Sequence, residues 1–267
     1  MTDRRNQLVF LPGAGGTIGS LSVFRAGTDD GTDIELIQYP SWQRYAADGY
    51  SAEILVEDLV NQIDARLPHG SIHMAGMSLG GHFAYAAALR LQAKGREVAG
   101  VCMIDAFMIE SSDPSPQWKV RALSEVLELI RKLDRDGFLQ FIRSRFRRLL
   151  LRLVGGRLPS LVKRFASNRI ASSIVASDSI LEGELTMRLL IHEIAPWLAS
   201  IDQAPRPLNA PAILLRTGFT AGDDAAWRRR CPKIKIYEIP GNHHSLFAPE
   251  NIDAFRDVFV RATAEWR

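Results

Sequence analysis

Apolar positions along this 267-residue chain change their period twice. In the first hundred residues, "QLVFLP" (7–12), "IELIQYP" (34–40), "SIHMAGM" (71–77) and "VAGVCMIDA" (98–106) are short apolar runs that read as buried strands. Between them "SAEILVEDLVNQIDARL" (51–67) is apolar at helical spacing. "GGHFAYAAALRLQAKG" (80–95) is Ala-rich and ends at Gly95, a helix C-terminus signal. Strands alternating with helices predict a parallel sheet covered on both faces. From 110 to 200 no strand pattern is convincing, and "WKVRALSEVLELIRKL" and "GFLQFIRSRFRRLLLRLV" read as helices. Alternation resumes with "APAILLRTG" (210–218), "KIKIYEIPG" (233–241) and a last helix, "PENIDAFRDVFVRATAEW" (249–266). The pattern predicts one α/β core, residues 1–109 with 201–267, interrupted by a helical insertion over 110–200.

Composition narrows the class without changing that outline. With 46% hydrophobic and 24% charged residues, the chain fits an ordinary globular protein. No apolar run approaches the ~20 residues that cross a bilayer. The N-terminus, "MTDRRNQLVFLP", runs straight into a strand-like segment, so no signal peptide is expected. Cys102 and Cys231 lie far apart, out of metal-like spacing, and read as reduced thiols of a cytoplasmic protein. Charge is unevenly spread. Residues 119–169 carry 14 Lys and Arg against 4 Asp and Glu, although the whole chain is only +3.

The chemistry begins at "GMSLG", Gly76 to Gly80. A G-x-S-x-G pattern alone is weak, but here a strand precedes it and a Gly-led helix follows. In that setting a strained strand-to-helix turn lifts a serine hydroxyl above a sheet, where the helix N-terminus favours an oxyanion. The plain alternative is a strand–helix junction with an incidental serine. Ser78 as nucleophile needs a base and an acid that orients the base, and hydrolases with a serine on such a strand-to-helix turn supply them in chain order Ser, acid, His. His243 and His244 sit in "IPGNHHSLF", past a strand and before the last helix, and His243 has the favoured spacing after "GN". His73 and His82 read as packing or supporting residues, and His69 and His192 as surface or lid residues. For the acid, Asp105 ends the strand "VCMIDA", and Asp223 and Asp224 in "AGDDAAW" compete from the next strand's loop. Two backbone N–H donors for an oxyanion are expected from Leu79 and from Ala14 in "LPGAGGTIGS". That glycine loop lacks the Lys-Ser/Thr of a P-loop and the spacing of a dinucleotide fingerprint.

"FLPGAGG", "HMAGMSLGGHFAYAAALRLQAKGREVAGVCMIDA" and "GNHHSLF…PENIDAF" together resemble the thioesterase domains that end polyketide and nonribosomal-peptide assembly lines, and their free-standing editing relatives. The likeness spans most of the sheet domain, and the middle stretch is its most specific part. It implies an α/β-hydrolase fold: a mostly parallel sheet flanked by helices, with 110–200 as a helical lid. It also implies Ser78 as nucleophile, Asp105 as acid, His243 as base, and Ala14 and Leu79 as oxyanion donors. An acid directly after the Ser helix is similar to the chain-terminating group. The implied substrate is an acyl chain on the phosphopantetheine arm of an acyl or peptidyl carrier protein, released by hydrolysis or macrocyclisation, as in antibiotic biosynthesis. The resemblance implies no metal or redox cofactor.

Arg143, Arg145, Arg147, Arg148 and Arg152 stand among Phe and Leu in the basic segment. They are expected to face an acidic carrier protein while the apolar side of the lid covers an acyl tunnel. A solvated amphipathic face and a membrane-surface helix are the competing readings, and no nucleic-acid motif accompanies the charge. Two other functions use the same residues. One is a general carboxylesterase or acyltransferase on small esters, and the other is a hydrolase-like binding protein without catalysis.

Overall fold

The computed structural model describes residues 7–14, 33–107, 179–203, 205–218, 224–243 and 245–266. The chain divides into two compact units, residues 1–108 with 174–267 and residues 109–173, and the described residues all belong to the first. The helices expected over 110–178, with the five arginines, lie outside the described residues.

Six strands make one sheet: β1 (Gln7–Leu11), β2 (Asp33–Leu36), β3 (Ile72–Met77), β4 (Val98–Ile104), β5 (Ala212–Arg216) and β6 (Ile234–Glu238), ordered β2-β1-β3-β4-β5-β6. Every neighbouring pair is parallel. The six helices described are α1 (Trp42–Ala46), α2 (Ala52–Arg66), α3 (Leu79–Ala93), α4 (Ser179–Gln203), α5 (Asp224–Arg230) and α6 (Pro249–Ala262), and a 3-10 turn, Ala264–Trp266, follows. Each strand read from the apolar runs is present, shorter by one to a few residues where the run continues into a loop.

The central strands are apolar on both faces because both faces are covered. Leu8, Phe10, Ala75, Cys102, Ile104, Ile213 and Leu215 share a cluster with Phe255, Phe259 and Ala262 of α6. On the other face α3 lies so close that a Cβ on Gly81 would stand 3.3 Å from that of Met103. Helix α2 starts where the sequence signals it, with the Ser51 hydroxyl accepting from the Ile54 N–H at 3.3 Å. In α6, Pro249 occupies the first turn, where its missing N–H costs no hydrogen bond.

Residues 179–200, grouped with the lid in the sequence outline, belong to α4 and to the same compact unit as the sheet. Leu185, Leu189, Ile194 and Leu198 are buried at near-helical spacing along α4. Its Trp197 reaches the ring of Phe83 in α3 and donates to Glu53 Oε1 in α2 at 2.8 Å. Among the described residues, no helix is long and apolar enough to cross a membrane.

Candidate active site

At the C-terminal ends of β3 and β4 two residues other than glycine take a positive φ: Ser78 at 54° and Asp105 at 45°. Such a backbone costs about 1–3 kcal/mol each and persists only where neighbours over-determine it. The two strands are adjacent and in register, Met77 opposite Ile104, so the two turns lie side by side. The Ser78 N–H donates to the Ile104 carbonyl at 2.8 Å, and the Asp105 N–H to that of Leu215 at 2.7 Å.

Ser78 is the residue before α3 and heads its N-terminus. The two motif glycines explain how the turn can be so tight. A Cβ on Gly76 would strike the Gly80 backbone, and one on Gly80 would strike the Leu11 and Pro12 carbonyl oxygens. The loop after β1 therefore presses directly on the start of α3. A Cβ on Gly13, the residue before Ala14, would sit 3.5 Å from both the Met77 carbonyl oxygen and the Ser78 Cβ, which brings Gly13 to the serine turn. Tyr39 secures that loop by donating its hydroxyl to the Pro12 carbonyl at 2.5 Å. Leu79 opens α3, where the first N–H groups have no partner within the helix.

Asp105 is fully buried. Its Oδ1 accepts from both the backbone N–H and the hydroxyl of Thr217, each at 2.9 Å. Its Oδ2 meets Nδ1 of His243 at 2.8 Å. Burial pushes the carboxyl's pKa up, but the hydrogen bonds from His243 and Thr217 outweigh it and leave the group below its ordinary value. Asp105 therefore stays ionised at neutral pH. An ionised carboxylate accepts only, so Nδ1 of His243 carries the hydrogen it donates and a neutral ring leaves Nε2 as its base atom.

The loop that carries His243 is built to hold it. Gly241 has φ 80°, the Ser245 N–H donates to Asn242 Oδ1 at 3.2 Å, and the Asn242 N–H donates to Ser245 Oγ at 3.0 Å. Asn251, in the first turns of α6, donates to the Ser245 carbonyl at 2.9 Å and ties the loop to that helix. The imidazole is 26% exposed, open enough to meet a substrate. The ring of Phe107 stands edge-on against it, 5.1 Å between centroids.

Of the competing residues, His244 and Asp223 lie outside the described residues. Asp224 lies in the first turn of α5 and pairs with Arg216 at 3.0 Å. His73 stacks on Trp266 at 4.9 Å. His82 is buried and hydrogen-bonded to the Phe107 carbonyl and to Arg230. Among the described residues no group of His, Cys, Asp or Glu could hold a metal ion. Thr217 and Phe107 escaped the sequence reading. Thr217 carries the signal that singled out Asp105, a polar residue just past a buried apolar strand, in "AILLRT".

A family model described as the thioesterase domain matches residues 6–147, more than half of the chain. Among curated proteins, the "Inactive atromentin synthetase invA3" of Paxillus involutus is 24% identical over 212 residues, covering 75% of this chain and 20% of that protein. The chain thus spans about a fifth of that relative's length. Two solved thioesterase domains share the fold. The Vlm2 domain bound with a dodecadepsipeptide superposes with a TM-score of 0.62 at 19% identity, covering 98% of this chain and 95% of that one. The NocB domain in covalent complex with a fluorophosphonate nocardicin G analog gives 0.60 at 20% identity, covering 96% and 94%.

Proposed function

The chain belongs to the thioesterase domain family and is a thioesterase of α/β-hydrolase fold, and from that premise we propose that it works through a serine-bound acyl-enzyme on thioesters presented by a carrier protein. The observation that carries this reading is the 2.8 Å contact of His243 with a buried Asp105, beside a serine at positive φ on the next strand end.

Nε2 of His243 takes the hydroxyl proton as Ser78 Oγ attacks the thioester carbonyl carbon on a phosphopantetheine arm. The oxyanion accepts from the N–H groups of Ala14 and Leu79. Collapse of the tetrahedral intermediate breaks the carbon–sulfur bond, and the departing sulfur takes the proton from His243 and leaves as a thiol. In the second half His243 deprotonates water, giving hydrolysis, or a hydroxyl or amine of the acyl chain, giving ring closure. The carboxylate of Asp105 holds the tautomer and stabilises the imidazolium in both halves. The chemistry calls for no metal or redox cofactor.

The fold shared with the Vlm2 and NocB thioesterase domains, and with a four-domain nonribosomal peptide synthetase over 97% of this chain and 20% of the other at a TM-score of 0.58, supports a carrier-protein partner. The charge of residues 119–169 supports docking of an acidic acyl or peptidyl carrier protein on Arg143, Arg145, Arg147, Arg148 and Arg152. The word "inactive" in the fungal relative's name favours a non-catalytic reading, and the intact Asp105–His243 contact stands against it.

Intact-protein mass spectrometry after brief exposure to a panel of acyl-pantetheine thioesters tests the reading. One acyl group should appear on the wild type and none on Ser78→Ala, whose kcat should fall by about 10⁶. A fall under tenfold would favour the binding protein, and a preference for nitrophenyl esters the carboxylesterase. Exchanging Arg143, Arg145 and Arg147 for Glu should slow turnover of carrier-bound acyl groups only; equal loss on soluble thioesters removes the docking site.

A further inference from the structure

Behind the acid turn lies a buried polar cluster for which the acyl-transfer steps have no use. Arg230, at the end of α5, is 1% exposed. Its guanidinium lies over the rings of Trp227 at 5.0 Å and Tyr85 at 5.4 Å, and its Nη1 meets Nδ1 of His82 at 2.9 Å. A guanidinium only donates, so Nδ1 of His82 accepts, and the ring's one hydrogen sits on Nε2. That Nε2–H donates to the Phe107 carbonyl at 2.9 Å. Trp227 donates its indole N–H to the Ala106 carbonyl at 2.7 Å. Both carbonyls of the two residues after Asp105 are thus held from behind, by side chains of α3 and α5.

Asp105 itself keeps φ 45° although it has a Cβ, so the turn relaxes unless it is held at several points. The Leu215 carbonyl in β5 and Thr217 just past it hold Asp105, while Trp227 and His82 hold Ala106 and Phe107. The turn they fix presents two groups to His243: the Asp105 carboxylate at Nδ1 and the Phe107 ring at the imidazole edge. We propose that Trp227 and His82, the latter locked by Arg230, are positioning residues that set the Asp105 carboxylate and the Phe107 ring against His243. They act through the backbone of residues 105–107 and touch no substrate. Burial and then the neighbouring Arg230 charge push the His82 pKa down to about 3 against a weaker upward pull from the hydrogen bond to Phe107, so His82 stays a neutral strut and does not compete as a base.

The inference rests on Asp105 and His243 being catalytic, and its test separates the two ideas. Trp227→Phe keeps the stacked ring and removes the indole donor, and His82→Leu removes both ring nitrogens. Each should lower kcat on an acyl-pantetheine thioester about 10- to 100-fold, the scale of a misplaced catalytic group, with KM unchanged. Each should also shift or broaden the downfield proton resonance of the His243 Nδ1–H. His82→Gln, whose amide both donates and accepts, should recover most of the rate. Should His82→Leu fail to fold, Trp227→Phe decides. A kcat within threefold of wild type, a loss carried by KM, or an unmoved resonance overturns the positioning role. If Asp105→Asn and His243→Ala themselves retain the wild-type rate, the catalytic reading beneath it falls instead.

Discussion

Ser78 and Asp105 end neighbouring strands with the same unusual backbone, yet opposite means keep them there. The serine turn is held by missing atoms. Gly76 and Gly80 let the end of β3, the start of α3 and the Leu11–Pro12 carbonyls approach at distances no side chain would permit. The acid turn is held by added atoms: hydrogen bonds from Thr217 and His243 to the carboxylate, and from Trp227 and His82 to the next two carbonyls. Beyond the one backbone hydrogen bond that each turn donates to the neighbouring strand, shape keeps the first and polar chemistry the second. Glycine packing fixes the serine backbone without calling on the serine hydroxyl. Hydrogen bonds commit the carboxylate fully and keep it ionised in a buried place, which suits the role proposed for it beside a transient imidazolium.

The comparison predicts different failures on the two sides. Among exchanges that leave Ser78 itself in place, the largest effect belongs to Asp105→Asn, which keeps the volume and removes the charge. Steady-state kinetics on an acyl-pantetheine thioester should show kcat down by about 10⁴, the scale set by the same exchange in a serine protease. Gly80→Ala should act on the fold first. Its new Cβ meets two backbone oxygens that cannot step aside, so denaturant unfolding should register about 3 kcal/mol or more of lost stability. A Gly80→Ala protein of wild-type stability but low activity would break the contrast.

Acid should loosen the polar side. His82 titrates at about 3 in the folded protein, held down mainly by burial and then by Arg230, against about 6.5 when unfolded. Between those values the unfolded chain binds the extra proton. The stability His82 contributes is therefore whole above pH 6.5 and is lost as pH falls towards 3. Asp105 adds a loss in more acidic solution, since its lowered pKa contributes stability only above the ordinary carboxyl range. Thermal unfolding of wild type should fall from pH 7 to pH 4 more steeply than that of His82→Gln. His73, lowered by burial, leaves the variant a residual slope. Equal slopes would remove His82 as the cause.

The smallest expected change is that of Thr217→Val, which deletes one of two donors to Asp105 Oδ1 and keeps the backbone one. About 1 kcal/mol is at stake, so kcat should fall less than tenfold and denaturant unfolding should register no more than about that loss. A loss of stability larger than the loss of rate would mean that the acid turn, too, is held by shape.

Much of the sheet was legible because its strands are buried on both faces, and continuous apolar runs betray that locally. The serine turn was legible for a related reason: close backbone approach demands glycines at set positions, and Gly76 and Gly80 flank Ser78 within five residues. The pairing of Asp105 with His243 was open to the sequence only as a choice among candidates, because 138 positions separate the two residues. That Thr217, Trp227, Arg230 and His82 converge behind the acid was not legible at all. Thr217 stands out only as a polar residue past a buried strand and the others are ordinary in their own stretches, since a hydrogen bond across 112 or 121 positions leaves no local trace of its partner. Periodicity and glycine spacing, which act between near neighbours, determined the elements and the serine bend. Which distant polar groups meet, and so how the acid is held, was decided only when the parallel strands brought their C-terminal ends to one rim.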